Sequence, residues 1–131
     1  LDWHEEPNLR MAKELNKDRD NIIYHEKDVY RESWEDLDLP QYQVSFIDCD
    51  HNYEGVISDI QNCLKYGHTH QYLIFDDYGH PTTGVKDAVQ DVIKANSSFE
   101  LVQYIGEGKG SDCRPGLILK DYEGVICKYE V

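Results

Sequence analysis

Two short apolar segments near the middle of the chain each end abruptly in aspartates. One segment runs from Val44 to Ile47 and the other from Tyr72 to Phe75; the aspartates that follow are Asp48 and Asp50, and Asp76 and Asp77. An apolar run that ends in acids is typical of a buried parallel strand, which delivers side chains to the sheet edge where α/β proteins carry their sites. Carboxylates that share this edge repel one another, and a bound cation removes the repulsion. The pattern therefore predicts a divalent-cation site.

The predicted ligands of this site are Asp48, Asp76 and Asp77. Carboxylate oxygens are hard donors, which Mg²⁺, Mn²⁺ and Ca²⁺ prefer. Asp50 is expected to support or replace one of the ligands. His51 follows closely enough in the sequence to serve as a general base that takes a proton from a substrate.

A purely local role for these acids is the competing interpretation. Asp50 and Asn52 could cap a helix that begins near Tyr53, and Asp77 could cap a turn before Gly79. Because both apolar segments end in acids, the sequence favours a shared site over two unrelated caps.

The stretch between the two segments has the pattern of an amphipathic helix. Its apolar residues recur at the spacing of one helix face, and they are Val56, Ile57, Ile60, Cys63 and Leu64. Gly67 is a suitable helix end. A helix of this length is what a right-handed connection between parallel strands needs, so the two acid-ended strands should lie side by side and point the same way.

The rest of the chain continues the alternation of helices and strands. The sequence predicts helices at 7–16 and from Thr82 or Thr83 to Asn96, and strands at 21–25, 100–105, 116–120 and 125–129, the last two forming a hairpin. We expect one α/β domain over residues 1–131. Its three-layer sheet should be mostly parallel with antiparallel C-terminal strands, and the strand at 72–75 should be covered on both faces.

Charge and composition exclude several classes of partner. The chain has 131 residues and a formal net charge of −13, from 26 acidic and 13 basic residues. This charge repels phosphate backbones and anionic bilayers, so we expect neither nucleic acid nor a membrane as a partner. The four cysteines are widely spaced, with no CxxC, which favours reduced structural thiols. A soluble, cytoplasmic protein is expected.

The central part of the chain resembles a known enzyme family. The resemblance is carried by Phe46-Ile47-Asp48-Cys49-Asp50-His51-Asn52-Tyr53-Glu54-Gly55-Val56, by Asp59, by Leu73-Ile74-Phe75-Asp76-Asp77-Tyr78 and by Gly84-Val85-Lys86-Asp87-Ala88-Val89. These residues are similar to those of S-adenosylmethionine-dependent methyltransferases of the Rossmann-like type. The branch that they resemble includes small-molecule and sugar O-methyltransferases, and the resemblance covers roughly residues 2–120.

The resemblance implies metal-assisted methyl transfer to a small-molecule hydroxyl. In metal-dependent relatives an acid after one strand and an acidic pair after the next hold Mg²⁺ or another divalent cation, at positions that fall on Asp48, Asp76 and Asp77. The cation would orient the acceptor hydroxyl and lower its pKa for attack on the methyl group. Asp48, as a metal ligand, and His51, as a general base, are thus the expected catalytic residues.

The resemblance also implies how the cofactor would be held. Asp2 would bond the ribose of S-adenosylmethionine, Asp28 and Val29 would lie at its adenine, and Asp48 would lie near it as well. The first strand of the family, its glycine-rich loop and its first helix would precede Leu1, so a partial domain is expected. The sequence leaves the methyl acceptor and a homo-oligomeric state open.

The sequence is also compatible with two other functions. Asp48-Cys49-Asp50 followed by an acidic pair is also found in haloacid-dehalogenase-like phosphohydrolases, but the stretch between Asp48 and Asp76 is too short for the Thr/Ser and Lys motifs of that family. A non-catalytic binding or scaffold domain that keeps the fold is the other alternative.

Overall fold

The structure is a computed structural model that describes residues 7–107, 118–119 and 121–131. It contains three α-helices, which are α1 (Pro7–Leu15), α2 (Tyr53–Tyr66) and α3 (Val85–Ala95), and a 3₁₀ helix at Trp34–Leu37. Its strands are β1 (Val44–Ile47), β2 (His70–Phe75), β3 (Phe99–Ile105) and β4 (Gly124–Glu130). In these described ranges no helix is both long and apolar enough to cross a bilayer.

The strands form one mixed sheet in the order β1-β2-β4-β3. β1 and β2 are parallel, with Ile47 opposite Phe75, which confirms the predicted central pair. β4 runs antiparallel to both of its neighbours, β2 and β3. The prediction of an α/β fold with antiparallel C-terminal strands is confirmed, but the described sheet has one parallel and two antiparallel pairings and is not mostly parallel.

The core lies between one face of the sheet and the helices α2 and α3. The buried residues of this cluster include Leu73 and Phe75 of β2, Val125 and Cys127 of β4, Val56 and Ile60 of α2, and Ala88 and Val89 of α3. Both helices lie on the same face. This is expected because the connections from β1 to β2 and from β2 to β3 cross the sheet in the same direction, and connections between parallel strands are nearly always right-handed.

Within the described residues the opposite face of the sheet is not covered. This part of the chain therefore has two layers, whereas three were expected. Val44 and Phe46 of β1 are 59% and 65% exposed, and Tyr72 of β2 is 45% exposed. β2 therefore alternates between buried and exposed residues, and the expectation that both of its faces are covered is wrong for this part of the chain. An unbroken apolar run does not reveal which face a helix covers.

Several local predictions need correction. Residues 21–25 do not form a strand, and Ile23 is 74% exposed, because no described strand pairs with this segment. α3 begins at Val85 with Gly84 at its N-cap position, whereas Thr82 and Thr83 belong to the preceding turn. The predicted strand at 116–120 lies mostly outside the described residues.

The contrast between the two sheet faces can be tested with one substitution made twice. Val125→Ala removes two methyl groups from a fully buried position and should lower the free energy of unfolding by about 2 kcal/mol. Val44→Ala makes the same change on the open face and should lower the free energy of unfolding by less than about 1 kcal/mol. Urea unfolding measures both changes, and equal losses would contradict the assignment of the core to one face.

Candidate metal centre

The parallel pairing of β1 and β2 brings their terminal acids to one edge of the sheet. Asp48 follows β1 directly, and Asp76 and Asp77 follow β2. The backbone hydrogen bonding between β1 and β2 continues just past the strands, since the N–H of Asp76 donates to the Ile47 carbonyl at 3.3 Å. The two acid-bearing segments are therefore joined by a backbone hydrogen bond at the point where the carboxylates emerge.

Three side chains converge at this edge. Nε2 of His51 lies 3.2 Å from Oδ1 of Asp48 and 3.3 Å from Oδ2 of Asp77. One ligand atom from each of the three side chains lies within 4.8 Å of the other two, as the ligands of a single ion must. We refer to Asp48, His51 and Asp77 as the edge triad.

The donor set of the edge triad suits a divalent cation. Two carboxylate oxygens and one imidazole nitrogen fit Mn²⁺ and other first-row metals, because imidazole is a softer ligand than the all-oxygen set that Mg²⁺ prefers. The Asp77 side chain is 21% exposed and that of Asp48 is 47% exposed, so solvent or a substrate can reach the site. Three protein ligands would leave coordination positions open, as in catalytic metal sites.

The residues between Asp48 and α2 are arranged by helix capping. The Asn52 side chain accepts a hydrogen bond from the Gly55 N–H at 2.8 Å and caps α2. Both oxygens of Asp50 bond to Asn52, one to its backbone N–H and one to its side-chain amide. This short connection turns the chain so that His51 points back towards Asp48.

The loop after β2 packs directly on this connection. Gly84 N–H donates to the His51 carbonyl at 2.8 Å, and a Cβ at Gly84 would collide with the main chain of Tyr53. Only glycine allows the two backbones to approach so closely. The residue before α3 therefore holds the main chain of His51 in place through this hydrogen bond and close contact.

Asp77 adopts a left-handed backbone conformation with φ of 55°. This conformation is uncommon for a residue other than glycine, although aspartate and asparagine tolerate it best, and such residues cluster at functional sites. The Thr83 hydroxyl donates to the Asp77 carbonyl at 3.1 Å, which helps to hold the turn. The left-handed turn aims the Asp77 carboxylate at His51.

The structure brings together part of the predicted ligand set. Asp48 and Asp77 converge, whereas Asp76 accepts a hydrogen bond from the Asp77 N–H and lies outside the edge triad. His51, predicted as a general base, is instead a member of the edge triad that could hold an ion. The capping interpretation describes Asp50 and Asn52 well, and it does not describe the side chain of Asp77.

The predicted cofactor residues lie on a neighbouring turn. Oδ1 of Asp28 accepts from the backbone N–H groups of Tyr30 and Arg31, and the Val29 carbonyl accepts from Nε1 of Trp34. The turn reaches the acidic edge through the Tyr30 hydroxyl, which accepts a hydrogen bond from the Asp50 N–H. Asp2 lies outside the described residues.

A shallow depression of about 430 Å³ lies at the other end of the sheet. It is lined by the first residues of β1 and β2 and the last residues of β4, including Val44, Tyr72 and Lys128. Because the acids follow the opposite ends of β1 and β2, this depression is not part of the candidate metal centre.

Comparisons with known proteins provide no relative from which to infer a role for this site. No protein-family model, curated protein or solved structure matches the chain. The resemblance to methyltransferases therefore stays a prediction from the residues quoted above.

The edge triad predicts which single substitutions weaken metal binding. Asp48→Asn and Asp77→Asn each remove a charged donor, and asparagine keeps the left-handed conformation accessible at position 77. Each variant should weaken Mn²⁺ binding at least about 10-fold in isothermal titration. Asp20→Asn makes the same charge change at an exposed position outside the triad and should leave the affinity unchanged. Equal affinities in all four proteins would remove the triad from consideration as a cation site.

A second prediction concerns Asp59 of α2, which is 4% exposed. Burial raises the pKa of its carboxyl group, so the folded state favours the protonated acid more than the unfolded state does. The wild type should therefore lose stability relative to Asp59→Asn as the pH rises from the ordinary aspartate pKa through the raised one. Urea unfolding between pH 4 and 8 measures this difference. A wild type that gains stability relative to Asp59→Asn as the pH rises would contradict the raised pKa.

Proposed function

We propose that the chain is the metal-binding part of an S-adenosylmethionine-dependent methyltransferase that acts on a hydroxyl of a small molecule. The observation that supports the proposal most strongly is the edge triad, in which acids from two neighbouring parallel strands and one histidine meet within the reach of one ion. The residues quoted for the methyltransferase resemblance include all three members of this triad.

In the proposed reaction the chain orients the acceptor at the sheet edge. A bound divalent cation supplies a positive charge that orients the acceptor hydroxyl and lowers its pKa. Asp48, His51 and Asp77 would hold the ion, and the left-handed turn at Asp77 directs one carboxylate from the β2 side. Because Nε2 of His51 faces the two carboxylates, the geometry favours a ligand role for His51 over the role of general base.

The placement of the turn at residues 28–31 is compatible with the proposed cofactor. Its Asp28 is exposed, and Tyr30 connects it to the backbone between Asp48 and His51. A cofactor bound at Asp28 and Val29 would therefore lie beside the segment that carries two of the metal ligands. This proximity is what methyl transfer between a cofactor and a metal-held acceptor needs.

A non-catalytic domain is the second candidate, and one observation favours it. A protonated His51 between Asp48 and Asp77 would neutralise part of their repulsion without any metal ion. In that case the edge triad would be a structural ion pair that joins the ends of β1 and β2. Metal binding distinguishes the two candidates.

The phosphohydrolase alternative receives less support. That chemistry needs a nearby lysine to stabilise the acidic nucleophile and its phosphorylated form. Lys86, which follows the acidic pair in the sequence, instead forms an ion pair with Asp121 at 2.6 Å. Its Nζ also lies 5.8 Å from the centre of the Tyr78 ring.

The proposal predicts binding of S-adenosylhomocysteine, the product form of the cofactor. Isothermal titration of the natural protein, including any residues that precede Leu1, should give saturable binding. Asp28→Asn should weaken this binding several-fold, because a charged acceptor at the cofactor segment is lost, whereas Asp20→Asn should not. Mn²⁺ should bind to the same preparation.

The two measurements separate the candidate functions. Cation binding without any affinity for S-adenosylhomocysteine would overturn the methyltransferase proposal and leave a metal-binding domain. The absence of both would favour the structural ion pair at the edge triad.

A further inference from the structure

A single tyrosine hydroxyl joins three separate parts of the chain beside the candidate metal centre. The Tyr30 hydroxyl donates a hydrogen bond to Oδ2 of Asp59 at 3.1 Å. It also accepts a hydrogen bond from the backbone N–H of Asp50 at 2.8 Å. Asp59 lies in α2, and Asp50 lies between the triad members Asp48 and His51. We call residues 48–52 the metal loop.

Asp59 orients this hydroxyl from a buried position. The carboxylate is 4% exposed, and the hydrogen bond that the structure gives it comes from Tyr30. A buried carboxylate without a donor is costly, so the pair holds the phenol proton towards Asp59. The oxygen of Tyr30 then presents a lone pair to the metal loop. One hydroxyl thus serves as donor on one side and acceptor on the other.

The Tyr30 main chain is also fixed. Oδ1 of Asp28 accepts from the N–H groups of Tyr30 and Arg31, at 3.1 Å each, which closes the turn. Trp34 donates from Nε1 to the Val29 carbonyl, and its ring stacks on Tyr66 near the end of α2. The turn is therefore tied to α2 both through Asp59 and through this aromatic stack.

We propose that Tyr30 is a positioning residue for the candidate metal centre: its hydroxyl, oriented by Asp59, fixes the main chain at Asp50 and thereby the relative placement of Asp48 and His51. The inference rests on the cation binding proposed above, and it adds a residue outside the ligand set that determines how well the set is formed. The sequence resemblance assigns no role to Tyr30.

The physical reason is preorganisation. Asp48 and His51 are three residues apart and lie on opposite sides of Asp50, so a shift of the Asp50 backbone changes the distance between their ligand atoms. Asn52 and Gly84 fix the end of the metal loop nearest α2. At Asp50 the backbone N–H is held by Tyr30. Groups that orient metal ligands without touching the metal typically contribute about 10- to 100-fold to affinity.

The first test measures Mn²⁺ affinity by isothermal titration. Tyr30→Phe removes the hydroxyl and keeps the ring, and it should raise the dissociation constant at least about 10-fold. Tyr24→Phe is the matched control, because the Tyr24 hydroxyl bonds the Ala12 carbonyl of α1 at 3.1 Å and not the metal loop. This control should bind Mn²⁺ like the wild type.

Two substitutions at Asp59 distinguish positioning from general stability. Asp59→Asn keeps a side-chain oxygen that can accept from the Tyr30 hydroxyl, so it should retain Mn²⁺ affinity to within about 3-fold. Asp59→Leu removes the acceptor and should weaken binding as Tyr30→Phe does. If Asp59→Asn weakened binding as much as Asp59→Leu, the charge and not the hydroxyl orientation would matter, and the proposal would be overturned.

A metal-independent measurement keeps the proposal testable even if no cation binds. In amide hydrogen exchange followed by NMR, Tyr30→Phe should accelerate exchange of the Asp50 amide at least about 10-fold, because the amide loses its acceptor. The Gly55 amide, which donates to Asn52, should be unchanged.

The outcomes separate this inference from the proposed function. Unchanged exchange at Asp50, or accelerated exchange with unaltered Mn²⁺ affinity, would overturn the role of Tyr30. If the wild type does not bind Mn²⁺, the proposed function fails. Exchange at Asp50 then decides by itself whether Tyr30 fixes the metal loop.

Discussion

The parallel pairing of β1 with β2 is the constraint on which the candidate site depends. Ile47 lies opposite Phe75, so the residues that follow each strand emerge at the same height on the same edge of the sheet. A shift of one residue would turn the buried side chains of a strand to the open face of the sheet and would move the acids that follow it relative to those of the neighbouring strand. The buried side chains of Ile47, Leu73 and Phe75, packed against α2 and α3, specify this register.

The strand register brings the acids to one edge, and the local backbone conformation then orients their side chains. Asp77 is held in a left-handed conformation that typically costs about 1 kcal/mol or more, and the hydrogen bonds of its turn offset part of this cost. The metal loop is held at its far end by Asn52 and Gly84 and at Asp50 by Tyr30. The backbone on either side of the edge triad is thus held by hydrogen bonds, while the side chains of the triad stay partly exposed. This combination is what a site that must admit a ligand requires.

The two faces of the sheet have different environments although both carry apolar residues. The connections from β1 to β2 and from β2 to β3 proceed in the same direction across the sheet, so connections of the usual right-handed sense place α2 and α3 on one face. Phe46 and Tyr72 point to the other face, where the described residues leave them 65% and 45% exposed. The apolar character of a strand therefore indicates membership of the sheet and not the number of layers.

The sequence alone was sufficient to predict the elements with strong periodicity and the edge at which acids gather. α2 and α3 follow from their apolar spacing, and β1 and β2 from apolar runs that end in aspartate. It did not determine which acids meet. Asp76 and Asp77 are adjacent and chemically identical, and the left-handed conformation of Asp77, set by contacts with the loop before α3, decides which one faces His51. The link from Tyr30 to Asp50 and Asp59 was also beyond sequence reasoning, because it joins residues far apart in the chain that only the packing of the 28–31 turn on α2 brings together.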